Sequence, residues 1–434
     1  MDWSQLLSAR RLRRVSASGE EEAARARTRS PFQQDADLIV FSAAFRRLQD
    51  KTQVQPLSET GRVRTRLTHS IEVASVGRSL GSSVASVLAD RRGLNWEQVH
   101  AMASAVHAAC LAHDIGNPPF GHGGEDAIQG WFLAHPAVLA GLSEAEAAGL
   151  LAFDGNAQGF RILTALENYR FDGGLRLTEA TLGAFMKYRV GPLEREPGSS
   201  TLALRKAGFF ESERAYAEEL AGGLGLPAGR RHPLVYLTEA ADDICYAIVD
   251  LEDGFDAGLL EHAAALEVLS ELADCPPPSR LGRAEQLHKL RALAIGRMVD
   301  AVSEVFLDVE PNLLAGESVG ELCLLTKLGP GVLRAKELAR ERIFSAPSVV
   351  ERLLGGQRVL ATLLDNLVPV AEALRQVGFE RSALAGRARL VAHLLGEHYE
   401  PRTSYEALLG ITDFLSGLTD RAALALALRI TGEA

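Results

Sequence analysis

The sequence predicts an all-α protein, and three observations lead there. Period-2 strand patterns are nearly absent. Apolar residues recur at helical spacing in one stretch after another, with Gly, Pro and small polar residues between them. Beyond Gly258 the chain runs on as Ala/Leu-rich helix, interrupted at Pro276-Pro277-Pro278 and Gly329-Pro330-Gly331, with no convincing internal repeat of about 20–50 residues.

Taken in order, residues 1–30 lack sustained periodicity and are arginine-rich, so a mobile N-terminal segment is expected. Asp37 to Val54 reads as a helix running into a loop, and Ser58 to Thr65 as a hairpin or loop. Arg66 to Ala89 is a long amphipathic helix. Trp96 to His113 is another, with Val99, Met102, Val106 and Ala109 on one stripe that leads to His113. Gly116-Asn117-Pro118-Pro119 stops it, because proline can neither donate nor fit in a helix interior. Gly121 to Ala134 follows, with Glu125 and Asp126 in its first turn, where carboxylates suit the dipole. Ser143 to Leu151, Asn156 to Glu167 and Thr178 to Tyr188 read as helices. Gly191 to Ser200 and Gly222 to His232 read as loops, and Leu234 to Leu251 as a buried helix.

The 434 residues suffice for a large core and for two or three domains, and 47% hydrophobic with 24% charged residues is an ordinary globular balance. Cys110, Cys245, Cys275 and Cys323 are widely spaced, which implies no disulfide framework and fits a reducing cytoplasm. No signal peptide and no membrane span of about 20 apolar residues is evident. The net charge of −10 argues against a general nucleic-acid coat protein. Two local basic stretches stand out, Arg10 to Arg29 and the trio Arg62, Arg64 and Arg66 just ahead of His69.

The chemistry gathers around His113-Asp114. An aspartate there sits at the negative end of the helix dipole, and burying it beside a histidine calls for a cation. Alone, the dipeptide reads better as a histidine satisfied by a helix carbonyl and a capping aspartate. Upstream, His69 lies on a predicted helix. Downstream, Asp242 and Asp243 lie within an otherwise apolar one. Two imidazoles and two carboxylates make a mixed N/O set suited to Mn, Fe, Co, Ni, Zn or Mg. Spacing does not rank Asp242 against Asp243. Asp242, Tyr246 and Asp250 recur at i, i+4 and i+8 on one helix face. His122 and Glu125 are i, i+3, which suits an imidazole acid whose tautomer a carboxylate fixes. Arg66 lies one turn before His69 and suits a phosphate.

This ordered set resembles the HD superfamily of metal-dependent phosphohydrolases, and more closely its deoxyguanosine triphosphate triphosphohydrolase family. The segments FRRLQDKTQV, RLTHSIEV, CLAHDIGNPPFGH and TEAADDICYAIVDLED carry the resemblance, with a weaker match at DFLSGLTDR. Leu38 and Phe41 stand where many relatives have an arginine and a histidine, and Asn117 where many have a second histidine. The resemblance implies an HD-domain helical bundle over residues 31–260, extended by a C-terminal helical region over 261–434. It implies His69, His113, Asp114 and Asp242 as ligands of a divalent metal ion, Mn or Mg first, and His122 with Glu125 as the catalytic pair. It further implies Gln53 on the deoxyribose 3′-hydroxyl, Lys187 and Tyr188 on the triphosphate, and Tyr246 and Asp250 on the sugar. Asn156, with Gln158 and Arg161, is implied to line the pocket.

The activity so implied is hydrolysis of deoxynucleoside triphosphates, dGTP among them, to deoxynucleoside and tripolyphosphate. A homo-oligomer, commonly a hexamer, and weak single-stranded nucleic-acid binding are expected alongside. The rivals are another HD phosphohydrolase and a nucleotide-sensing or nucleic-acid-binding regulatory protein.

Overall fold

The computed structural model describes residues 1–12, 29–53, 64–168 and 173–433. Among them there are helices, loops and two isolated β-bridges, Arg11 with Thr178 and Thr52 with Thr65, and no strand. The fold is all-α. The segment from Val54 through Val63 lies outside the described residues, so most of the expected hairpin or loop from Ser58 to Thr65 and one of the three clustered arginines are not placed.

Two helices form the spine. Arg66–Arg92 starts where Thr65 and Thr68 cap each other reciprocally, and Trp96–Ala112 starts with the same device between Asn95 and Gln98. Each such cap stabilises a helix start by about 1 kcal/mol. The two pack against one another, and Leu234–Asp256 packs across both. That last helix runs five residues further than the sequence suggested and buries Leu237, Ala241, Ile244 and Ile248. Gly116 lets the turn after His113 press onto the helix Gly155–Arg161. A Cβ there would collide with the backbone of Gly155 and Gly159.

Two hydrophobic clusters result. One runs from Trp3 through the spine to Ile343. The other joins Phe120, Ile128, Trp131 and Phe132 to Leu360, Leu364 and the last helices, Ser404–Ser416 and Asp420–Thr431. No described helix is long and apolar enough to cross a membrane.

Two expectations need correction. The first twelve residues are not a loose tail. Trp3, Leu6, Leu7 and Leu12 are buried, and the Trp3 indole donates to Glu310 at 2.8 Å. Each such burial contributes roughly 1.5–3 kcal/mol, enough to hold a short segment that has little periodicity of its own. Residues 13–28 lie outside the described chain. The helix expected to reach Tyr188 ends at Phe185, and Met186 turns extended, so Lys187 and Tyr188 stand on a loop. That loop is held by pairing with a second one, through Arg189 N–H to Ala203 O at 3.2 Å and Gly208 N–H to Val190 O at 2.9 Å.

Candidate active site

His69 comes from the spine, His113 and Asp114 from the end of the neighbouring helix, and Asp242 from the helix that crosses both. His69 Nε2 lies 3.0 Å from Asp242 Oδ1, and His113 Nε2 lies 3.6 Å from the same oxygen and 3.6 Å from Asp114 Oδ1. Asp243, one residue on, lines the same cavity but pairs with Lys336 at 2.8 Å. Ligand atoms of His69, His113 and Asp242 all lie within 4.8 Å of one another.

These residues fit a divalent metal. His113 Nδ1 is engaged by the Cys110 carbonyl at 2.7 Å, which fixes the tautomer and leaves Nε2 as a lone pair. That Nε2 is buried and has no hydrogen-bond partner. An orphaned imidazole nitrogen facing two carboxylates is what a cation would satisfy. The carboxylates are ready for one. Burial raises the pKa of Asp242, but His113 and His69 outweigh it and bring it down to about 2. Burial likewise raises that of Asp114, and Arg66, His113 and His69 pull it well below the usual carboxylate range.

Arg66 is 8% exposed and donates to Asp114 Oδ2 at 2.7 Å, while Asn117 donates to the other oxygen. In this arrangement Arg66 holds a carboxylate of the centre, one step removed from the phosphate role its spacing suggested.

A cavity of about 1050 Å³ opens beside this cluster. Gln53, Arg66, His69, His113, Asp114, His122, Glu125, Asn156, Lys187, Tyr188, Asp242 and Tyr246 all line it. His122 Nδ1 lies 2.7 Å from Glu125 Oε2, and the other Glu125 oxygen accepts the Gly155 N–H at 2.7 Å. Glu125 is buried while the His122 side chain is 84% exposed. The imidazole thus stands in the opening on a fixed base. Its pKa is raised, chiefly by the hydrogen bond to Glu125. The Lys187 ammonium lies 3.5 Å from Glu239, and the Asn156 amide is turned onto Asp154 at 2.8 Å. Gln53 Oε1 is buried without a partner.

Three residues do not reach the cavity. Asp250 is 3% exposed and lies outside the lining, and burial pushes its carboxyl up to about 8. Gln158 and Arg161 point away into an ion cluster, Arg161 pairing with Asp413 at 2.7 Å and Glu213 at 2.6 Å. Leu38 and Phe41 lie elsewhere, on a separate cavity of about 680 Å³ with Arg11, Arg29 and Arg176.

The structure also adds residues to the lining that spacing did not locate. Lys206 reaches in from the paired loop and holds Asp154 at 2.6 Å. Lys336, Arg340, Phe344, Leu353 and Gln357 form the far wall. The wall includes a π-helical stretch, Ala339–Phe344, and its Phe344 ring lies parallel to Tyr246, with centroids 5.6 Å apart and planes at 10°. A π-stretch of this kind often marks a functional site. The wall is far in sequence from every motif, and no local pattern announces it.

Comparison with known proteins agrees with this geometry. Residues 66–152, which carry His69, His113, Asp114, His122 and Glu125, match the HD domain. The whole chain is 42% identical to a deoxyguanosinetriphosphate triphosphohydrolase-like protein of Pseudomonas aeruginosa, covering 99% of it. The chain belongs to the deoxyguanosinetriphosphate triphosphohydrolase-like family. A second such protein, of Synechocystis, is 41% identical over the whole chain, with 99% of that protein covered. The deoxyguanosinetriphosphate triphosphohydrolase of Yersinia pestis is 30% identical, with 97% of each chain covered. The chain is therefore an HD-domain phosphohydrolase, and the HD domain implies a divalent metal ion.

Proposed function

We propose that this member hydrolyses deoxynucleoside triphosphates, dGTP among them, to deoxynucleoside and tripolyphosphate, by attack of water on the α-phosphorus. One observation carries the reading. The metal-fit cluster, the His122–Glu125 pair, five Lys and Arg side chains and the Tyr246–Phe344 ring pair share a single cavity of about 1050 Å³. That is the set a nucleotide with a triphosphate needs, and the names of the relatives agree with it.

His69, His113 and Asp242, with Asp114 beside them, would hold the metal, Mn or Mg first. When bound, it supplies Lewis acidity and a water of lowered pKa. His122, whose pKa the Glu125 hydrogen bond raises, gives its proton to the departing 5′-oxygen. Lys187 and Lys206 offset charge on the phosphate chain. Arg66 keeps Asp114 ionised and oriented. Gln53, whose buried amide oxygen lacks a partner, accepts from a sugar hydroxyl. Tyr246 and Phe344 lie flat beside one another at the end suited to the nucleoside.

A second reading draws on Asp250, which stands outside the cavity where a sugar contact would have been expected. It assigns the same centre to another phosphate ester, such as a nucleoside monophosphate. Product analysis separates the two. Metal-stripped protein is reloaded with Mn²⁺ or Mg²⁺ and given each deoxynucleoside triphosphate singly and mixed. Ion chromatography is expected to find tripolyphosphate and a free deoxynucleoside. Orthophosphate or pyrophosphate in its place would move the protein to the second reading.

A further inference from the structure

Gln53 and His122 reach the cavity from two backbone segments that share no helix. Between them sits one buried carboxylate, Asp420, from the first turn of the helix Asp420–Thr431. Its Oδ1 accepts the Phe120 N–H at 2.9 Å. Its Oδ2 accepts the Thr52 N–H at 3.1 Å and the Thr52 hydroxyl at 2.8 Å. A second tie runs alongside. The buried Lys51 ammonium donates to the carbonyls of Asn117 at 2.5 Å and Ser416 at 2.6 Å. The neighbours of Gln53 and the neighbours of His122 are thus joined through two residues of the C-terminal helices.

Phe120 is where such a tie has most to do. It stands two residues before His122 at φ 65°, a left-handed conformation that a bulky side chain rarely adopts. Backbone of this kind persists only where the surroundings over-determine it. Asp420 fixes the N–H. From the other side, the ring lies on Gly356, where a Cβ would come within 2.5 Å of it. None of the three bonds to Asp420 involves His69, His113 or Asp242.

We propose that Asp420 is a positioning residue for hydrolysis, holding the Phe120 turn so that His122 meets the leaving oxygen while Gln53 is held beside it. This rests on the reading of His122 as the proton donor, and the test keeps the two apart.

Asp420→Asn keeps the shape but turns an amide N–H toward donors that thereby lose their acceptor. Gly356→Ala pushes the Phe120 ring from the opposite face and leaves the carboxylate intact, so it serves if the first variant fails to fold. Each is made alone and with His122→Ala, and kcat, KM for dGTP and bound Mn²⁺ are measured. Expected is a loss in kcat of about 10- to 100-fold with Mn²⁺ content unchanged. With His122→Ala present, most of that loss should vanish, because residues that act as one unit are not additive. Parent-like kcat in both variants overturns the proposal. So does a loss that persists undiminished beside His122→Ala, or one that tracks lost Mn²⁺. Full activity of His122→Ala alone would instead remove the proton-donor reading on which the proposal stands.

Discussion

The metal-side wall of the cavity and the seam where the first residues dock both bury a histidine, with opposite results. His69 is 3% exposed and His232 is 0% exposed. At His69, burial lowers the pKa, but the hydrogen bond and charge of Asp242, with Asp114 and Asp250 nearby, outweigh it and the net shift is upward. At His232, burial dominates, with only the Leu6 carbonyl opposing it and Arg189 adding to it, and the pKa falls to about 4. His232 accepts the Leu234 N–H on Nδ1 at 3.0 Å and lies 2.9 Å from Leu6 O through Nε2. Only a neutral ring can do both. Burial of an imidazole therefore does not mark chemistry in this molecule; converging carboxylates do.

The harshest way to break that contrast is to remove an imidazole from the metal side. His113→Ala is expected to empty the centre of metal. Lewis-acid stabilisation amounts to several kcal/mol, and each 1.4 kcal/mol is tenfold, so turnover should fall by roughly 10³-fold or more. His122→Ala should fall by about 10²- to 10⁴-fold, the range of general acid catalysis, with metal retained. Elemental analysis of both variants beside their rates is the check. Stoichiometric metal in His113→Ala would mean that the orphaned Nε2 has another purpose.

A finer test uses two neighbours in sequence. Asp242 lies between the two rings at a pKa of about 2, while Asp243 meets Lys336 and is pushed up to about 6, burial being the main cause. Asp242→Asn should lose metal and turnover together. Asp243→Asn should keep its metal and lose about tenfold at most, in line with a residue that acts through its neighbours. Equal metal loss in both would dissolve the distinction between the two carboxylates.

This pair also marks how far the sequence carries. Adjacent aspartates share their composition and periodicity, so only the direction in which each leaves the helix separates them. The spine helices were legible because their stripes and stops are local: Val99, Met102, Val106 and Ala109 on one stripe, and Gly116 through Pro119 after His113. What was not legible depends on contacts between distant parts of the chain. Trp3 meets Glu310, His232 meets Leu6 and Asp420 meets Thr52, across 307, 226 and 368 residues. The arginine-rich start looked loose for that reason, since its partners are elsewhere. Lys206 and Phe344 were missed likewise, because a loop pairing and a π-stretch carry them to the cavity. Arg161 failed in the opposite sense: the family resemblance implied a place in the pocket, and Asp413 with Glu213 draws it away.

The smallest effect is expected at the seam, and it comes with a sign. The folded pKa of His232, about 4, lies below its unfolded value of 6.5. Between those values the unfolded chain binds a proton that the folded ring refuses. Stability from this site is therefore whole above pH 6.5 and is lost as the pH falls toward 4. His232→Gln keeps a donor for the Leu6 carbonyl and has no charge to gain. The melting temperature of the parent should thus drop more steeply from pH 6.5 to 4.5 than that of the variant, by about 2 °C over the window. Turnover of the variant at pH 7.5 should match the parent, because the seam touches the N-terminal segment and not the cavity lining. Parallel melting curves would mean that His232 accepts its proton while still folded. The two buried histidines would then differ in their partners but not in their charge.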